Sequence, residues 1–101
     1  MDEVVYLNDL FDIYGELLTD KQKEYFKDYY FDNLSYGEIA DKYGVSRNAS
    51  FKQLKNVIDK LNELENILGI YEKNNKIRNI INQIFNFIIL FIYMQNAFQF
   101  F

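Results

Sequence analysis

Proline is absent from all 101 residues of this chain, and glycine occurs only four times. Because these two residues interrupt helices most often, long helices can form almost anywhere in the sequence. Runs of β-branched residues with two-residue alternation are missing, which argues against strands. Half of the residues are hydrophobic, including ten Phe and nine Tyr, which is too apolar for a disordered chain. We therefore expect an all-α fold.

The side-chain chemistry disfavours an enzyme. The chain has no His and no Cys, so the commonest general base and the usual zinc ligands are missing. It also lacks a spaced carboxylate pair, a glycine-rich phosphate loop and an activated serine pattern. We predict no catalytic residue, cofactor or metal site. The absence of Cys, and of a basic start followed by an apolar run, favours a cytoplasmic protein.

Periodicity and capping signals predict two helices in the first third of the chain. The first is expected from near Asp2 to Leu18. Its apolar residues recur at three- and four-residue steps on one face, at Val4, Leu7, Leu10, Phe11, Tyr14 and Leu18. Thr19 and Gln22 have the spacing of a capping box and open a second helix. We expect the aromatic residues of both helices in the core rather than in a base-stacking platform.

Two caps and a glycine predict a helix-turn-helix at about residues 35–61. Ser35 and Glu38 repeat the capping-box spacing, and Gly44 can close this third helix in the left-handed conformation. Ser46 can cap the next helix only two residues later, and helices joined so tightly cross steeply. Four more residues receive steric roles: Ala40 at the closest approach of the helices, Val45 in the angle between them, and Ile39 and Leu54 in the core.

The run SYGEIADKYGVSR resembles region 4 of bacterial sigma factors and, more closely, the YlxM-like family of predicted DNA-binding proteins. Similar residues extend over roughly residues 6–80, at Leu17 to Gln22, Tyr29-Tyr30, Ser35 to Ala40, Gly44 to Arg47 and Leu68 to Tyr71. The resemblance implies an all-α, dimeric regulator linked to the signal recognition particle pathway. Ser50 departs from the valine usual in that family, so its hydroxyl must bond back to its own helix or lose packing. Lys52 replaces a residue that is often acidic there.

Long apolar stripes follow the helix-turn-helix. One runs along the fourth helix from Leu54 to Leu68, and that helix is expected to end at Gly69. A fifth helix from near Ile70 carries Ile77, Ile80, Ile84, Phe87, Phe91 and Met94, and from Phe85 it is apolar all round. We predict a helical domain at residues 1–68 and a dimerisation segment at residues 69–101. A membrane segment and a core helix are the alternatives. The interrupting polar residues, Asn86, Gln95, Asn96 and Gln99, favour the dimer over the membrane.

The charges are unevenly placed, although the net charge is −4. Residues 1–34 hold nine acidic residues and three lysines, whereas residues 35–61 hold five basic and three acidic residues. The face of the fourth helix that points away from Leu54, Val57 and Leu61 exposes candidate DNA contacts. They are Ser46, Arg47, Asn48, Lys52, Lys55 and Asn56. Arg47 and the helix N-terminus suit a phosphate, Asn suits adenine, and Lys suits guanine or a phosphate.

Two functions follow from these patterns. The first is a DNA-binding regulator that acts as a homodimer. The alternative is a protein- or RNA-interaction module of the targeting machinery, which uses the acidic residues of the first helix: Asp2, Glu3, Asp9, Asp12 and Glu16. An ordinary solvated helix face is the competing interpretation of the candidate contacts. Lys42 and Lys60 are placed to touch phosphates at the margins, but we favour for them a role in keeping the surface soluble.

Overall fold

The computed structural model describes residues 2–99 and contains, within them, five α-helices and no strand. The helices are α1 (Glu3–Tyr14), α2 (Asp20–Tyr30), α3 (Tyr36–Tyr43), α4 (Arg47–Leu68) and α5 (Ile70–Gln99). A short 3-10 turn, Gly15–Leu17, follows α1. The prediction of an all-α protein with a helix-turn-helix and long C-terminal helices is confirmed.

The first helix ends four residues earlier than predicted. After Tyr14 the chain tightens into the 3-10 turn, and Leu18 is extended, with its N–H donated to the Gly15 carbonyl at 3.0 Å.

Val4 was expected on the buried face of α1 but is 45% exposed. Val4 borders an open cleft beside Tyr29 and Leu34, so no side chains close over it.

Both predicted capping boxes are present. The Thr19 hydroxyl accepts the Gln22 N–H at 3.2 Å, and the Gln22 side chain accepts the Thr19 N–H at 2.9 Å. Ser35 and Glu38 repeat this exchange, with both distances at 3.1 Å. Each pair satisfies two N–H groups that a helix start leaves without partners, so α2 and α3 begin where the sequence predicts.

The core forms where α1, α2, α3 and α4 meet. Its buried residues are Leu7, Leu10, Tyr14, Leu18, Tyr25, Phe26, Ile39, Val57 and Leu61. The rings of Phe11 and Phe26 stack with centroids 4.3 Å apart and planes 3° from parallel. Tyr14, Tyr25 and Phe26 are therefore core residues, as expected for the aromatic residues of α1 and α2.

The side chains of Tyr14 and Glu65 form hydrogen bonds at the junction between α4 and α5. Gly69 ends α4 in the left-handed conformation with φ of 61°. The Tyr14 hydroxyl donates to Glu65 Oε1 at 2.7 Å and accepts the Ile70 N–H at 3.1 Å. Glu65 Oε1 also accepts the Tyr71 N–H at 2.9 Å. These contacts satisfy the first two N–H groups of α5, and burial raises the pKa of Tyr14.

The chain divides into two compact units, one ending at Tyr71 and the next beginning at Glu72. The second unit consists of the rest of α5. The predicted apolar stripe of this helix is between 55% and 70% exposed, at Ile77, Ile80, Ile84, Phe87, Phe91 and Met94. By length and composition alone, Ile70–Phe98 is long and apolar enough to cross a membrane.

Candidate nucleic-acid interface

The turn between α3 and α4 has the geometry that the caps predict. Gly44 adopts a φ of 65° and a ψ of 35°, and the N–H groups of Gly44 and Val45 both donate to the Ala40 carbonyl. Ser46 then caps α4 by accepting the Ala49 N–H at 3.1 Å. Residues that have a Cβ adopt the left-handed conformation of Gly44 only at a cost in energy. Glycine has no Cβ and therefore suits this turn.

The angle between α3 and α4 is not filled by Val45, and that prediction is wrong. Val45 is 38% exposed, whereas Ala40 and Ser50 are buried. The Ser50 hydroxyl lies 2.8 Å from two carbonyl oxygens, that of Arg47 in its own helix and that of Tyr36 in α3. The small buried residues Ala40 and Ser50 therefore lie where the two helices approach closely enough for a hydrogen bond, and Val45 lies at the surface beside them.

Ser50 bonds back to its own helix, as predicted. It does more than avoid a packing penalty, because its hydroxyl also reaches the first turn of α3. A buried hydroxyl without a partner would be destabilising, and this one has two acceptors. The serine thus connects α4 to α3.

A buried carboxylate holds the other end of α3. Asp28 of α2 is 3% exposed and accepts hydrogen bonds from Lys42 Nζ at 2.8 Å and from the Tyr43 hydroxyl at 2.6 Å. Burial and the bond to Asp28 raise the pKa of Tyr43 to about 12. The same carboxylate raises the pKa of Lys42 through its hydrogen bond. Lys42 was expected to keep the surface soluble or to touch a phosphate at the margin, and its bond to this buried carboxylate was not predicted.

The first half of α4 exposes the predicted DNA contacts together. Ser46, Arg47, Asn48, Lys52, Lys55 and Asn56 are all exposed. Within residues 2–99, no carboxylate pairs with Arg47 or Lys52. Lys55 lies 3.7 Å from Asp59, in an exposed pair of the kind that contributes little to stability. Three cations and two asparagines therefore lie on this exposed part of α4.

The start of α4 adds positive character to this face. Ser46 uses its hydroxyl for the cap, so its side chain serves the helix. The N–H groups of Arg47 and Asn48 belong to the first turn, where a helix has no internal acceptors and carries partial positive charge. Phosphate groups bind well to such ends.

Phe51 was missed by the sequence prediction. Its side chain is 49% exposed, and its ring meets the Tyr36 ring edge to face, with centroids 5.2 Å apart. It lies four residues after Arg47 and four before Lys55, and this spacing was the signal that could have identified it.

The acidic residues predicted as a partner surface lie at the start of α1, within α1 and in the 3-10 turn that follows it. Asp2, Glu3, Asp12 and Glu16 are exposed, and Asp9 is partly exposed. Glu16 lies 3.4 Å from Lys23 of α2. In the part of the chain that the structure describes, no group of three or more acidic residues is arranged to hold a metal ion.

Comparison with known proteins identifies a helix-turn-helix family and several relatives of this chain. The model of family UPF0122, described as "Putative helix-turn-helix protein, YlxM / p13 like", matches residues 1–96. A UPF0122 protein of Shouchella clausii is 45% identical over 73 residues, which are 72% of this chain and 67% of that protein. One from Geobacillus sp. (strain WCH70) is 36% identical over 89 residues, covering 88% of this chain and 81% of the relative. One from Ureaplasma urealyticum is 51% identical over 71 residues, or 70% of this chain and 72% of the relative.

Replacing the two glycines of the helix-turn-helix by alanine tests the turn. Gly44→Ala places no atom within 4 Å of the new Cβ, so its cost of about 1 kcal/mol comes from the left-handed backbone alone. Gly37→Ala is the matched control, because its Cβ lies 3.8 Å from Ser35 Oγ and helix propensity favours alanine by up to about 1 kcal/mol. Urea unfolding should show opposite signs, and equal changes would contradict the assigned turn.

Tyr43 should make the stability depend on alkaline pH. Its pKa is higher in the folded chain than its ordinary value of 10.0, so its contribution is complete below pH 10 and is lost as the pH rises towards 12. Tyr43→Phe removes the bond to Asp28, which lowers the free energy of unfolding near neutral pH by about 2 kcal/mol. The variant also flattens the alkaline decline by up to ~1.4 kcal/mol per pH unit.

Denaturant unfolding between pH 7 and pH 11 measures both effects of Tyr43. Tyr93→Phe is the control, because the Tyr93 ring is exposed on α5. An alkaline decline that is identical in the parent and in Tyr43→Phe would contradict the role assigned to the buried bond with Asp28.

Proposed function

Because the chain belongs to the UPF0122 family of YlxM/p13-like helix-turn-helix proteins, we propose that it is a DNA-binding regulatory protein. The first half of α4 acts as its recognition helix. The observation that carries this proposal is the exposed face of Arg47, Asn48, Lys52 and Lys55 at the capped start of α4. The family description names a helix-turn-helix protein and no enzymatic activity.

Each proposed contact follows from the chemistry of its side chain. Arg47 and the N–H groups of the first turn hold a backbone phosphate, which sets the register of the helix on the duplex. Asn48 reaches a base edge in the major groove, where an amide can pair with adenine. Lys52 and Lys55 bind guanine or phosphate oxygens, and Asn56 and Ser46 lie at the margins of the contact.

The charge distribution sets the expected affinity. The net charge of −4 opposes binding to a polyanion, and the acidic residues of α1 account for much of that charge. A few cations near the groove supply the attraction, so we expect modest affinity with a marked dependence on salt.

Association of two chains through residues 69–101 completes the proposed regulator. The exposed stripe from Ile77 to Met94 supports this step, because large apolar surfaces in water favour burial against a partner. A dimer presents two recognition helices to half-sites about one turn of DNA apart. We place this dimer in the cytoplasm, where DNA is accessible to it.

A second candidate function is favoured by the acidic surface of α1. Asp12 and Glu16 are exposed there, and such a surface repels nucleic acid but suits a basic protein. In this alternative, the fold serves as an interaction module of the signal recognition particle pathway. Retention of the chain on a purified basic targeting component, lost when Asp12 and Glu16 become Lys, would support it.

A salt titration of duplex DNA binding tests the recognition face. The double variant Lys52→Gln and Lys55→Gln should weaken binding and reduce the slope of log affinity against log salt by about two, because each lost phosphate contact removes roughly one unit. The matched control carries Lys21→Gln and Lys27→Gln, two exposed lysines of α2, and should leave the slope unchanged. Equal slopes in both double variants would contradict the groove assignment.

Light scattering tests the dimer. The parent should have twice the 12.2 kDa mass of one chain, and Ile84→Lys with Phe91→Lys should halve that mass by placing charges on the apolar stripe. Asn82→Lys with Asn86→Lys adds the same charge to the opposite face of α5 and should keep the mass. A parent that is monomeric, or that fractionates with lipid vesicles, would overturn the proposed dimer.

A further inference from the structure

Phe51 lies on the flank of α4, between Arg47 and Lys55 at the edge of the proposed recognition face. At 100° per residue, Arg47 and Lys55 are separated by about 80° around α4, and Phe51 lies about halfway between them. A surface that lies close to α4 and is contacted by both Arg47 and Lys55 therefore also lies next to Phe51. The ring is 49% exposed in the chain, so such a contact would bury apolar surface that is now in water.

The Phe51 ring is positioned by a series of aromatic contacts. Its edge-to-face contact with Tyr36 has planes 88° apart. Tyr36 in turn stacks on Tyr29, with centroids 5.1 Å apart and planes 8° from parallel, and their hydroxyl groups lie 3.5 Å apart. These contacts connect α2, α3 and α4, so the ring is held against the body of the domain and loses little freedom when it binds.

The chemistry of the ring limits what it can recognise on DNA. A phenyl group makes no hydrogen bond, and phosphate oxygens gain nothing from contact with it. The principal apolar group that a duplex presents in the major groove is the 5-methyl of thymine, which is recognised by apolar side chains. Arg47, Lys52 and Lys55 supply the attraction to phosphate around the ring, which leaves the apolar contact to Phe51.

We propose that Phe51 contacts a thymine methyl group and gives the protein a preference for thymine at one position of its site. This inference rests on the proposed function, because it requires α4 to enter the major groove. Burial of one methyl group predicts about fourfold tighter binding, which is the ~0.8 kcal/mol of a buried CH₂ converted at 1.4 kcal/mol per tenfold.

Two synthetic duplexes isolate the methyl group. One is alternating dA and dT, and the other is alternating dA and dU, which differs only by lacking the 5-methyl. Binding of the full chain to each is measured by fluorescence anisotropy at low salt. The variants are Phe51→Ala, which removes the ring, and Phe51→Leu, which keeps an apolar side chain. Gln53→Ala is the control, because Gln53 is exposed on a different side of α4.

We expect the parent, Phe51→Leu and Gln53→Ala to bind the thymine duplex about fourfold more tightly than the uracil duplex. The ratio should fall to about one in Phe51→Ala. Equal binding of both duplexes by the parent, or a thymine preference that persists in Phe51→Ala, would overturn this inference and leave DNA binding intact. No binding to either duplex would overturn the proposed function as well. Circular dichroism melting of each variant verifies that it is folded.

Discussion

The helix-turn-helix depends on the hydrogen bonds that join the buried carboxylate of Asp28 in α2 to the end of α3. An ionised group removed from water needs strong partners, and Lys42 and the Tyr43 hydroxyl supply them from the last turn of α3. At the other end of α3, Ser50 reaches the Tyr36 carbonyl. A helix of eight residues is too short to be stable alone, so these contacts at its two ends help to determine where it lies and where α4 begins.

The parts of the fold that depend on residues close together in the sequence were predictable. Capping boxes and turn glycines act over three or four positions, so the starts of α2, α3 and α4 and the end of α4 at Gly69 followed from the sequence. Burial at Val4 and Val45 depends on what other helices place opposite them, and both predictions were wrong. The bond between Asp28 and Tyr43 joins residues 15 positions apart on different helices, which local patterns do not reveal.

In the candidate site, too, the features set by local sequence were predicted and one that depends on a contact between helices was missed. Its polar residues were predicted because they face away from the buried side of α4, and the structure places all of them at the surface. Phe51 was omitted because only polar side chains were considered as contacts, although its ring lies exposed at the flank of α4 beside Tyr36. The unit ending at Tyr71 has its own core and carries this site, whereas the exposed stripe on α5 belongs to the second unit. Recognition of DNA and association of chains are therefore proposed for different parts of the sequence.

An NMR titration of the isotopically labelled full chain with a short AT-rich duplex tests the central claim most directly. It follows each backbone amide separately, so it distinguishes the recognition face from the acidic surface of α1. The account predicts chemical shift changes that are largest at residues 46–56 and that diminish as salt is added. Changes concentrated at residues 2–16, or no changes at low salt, would contradict it.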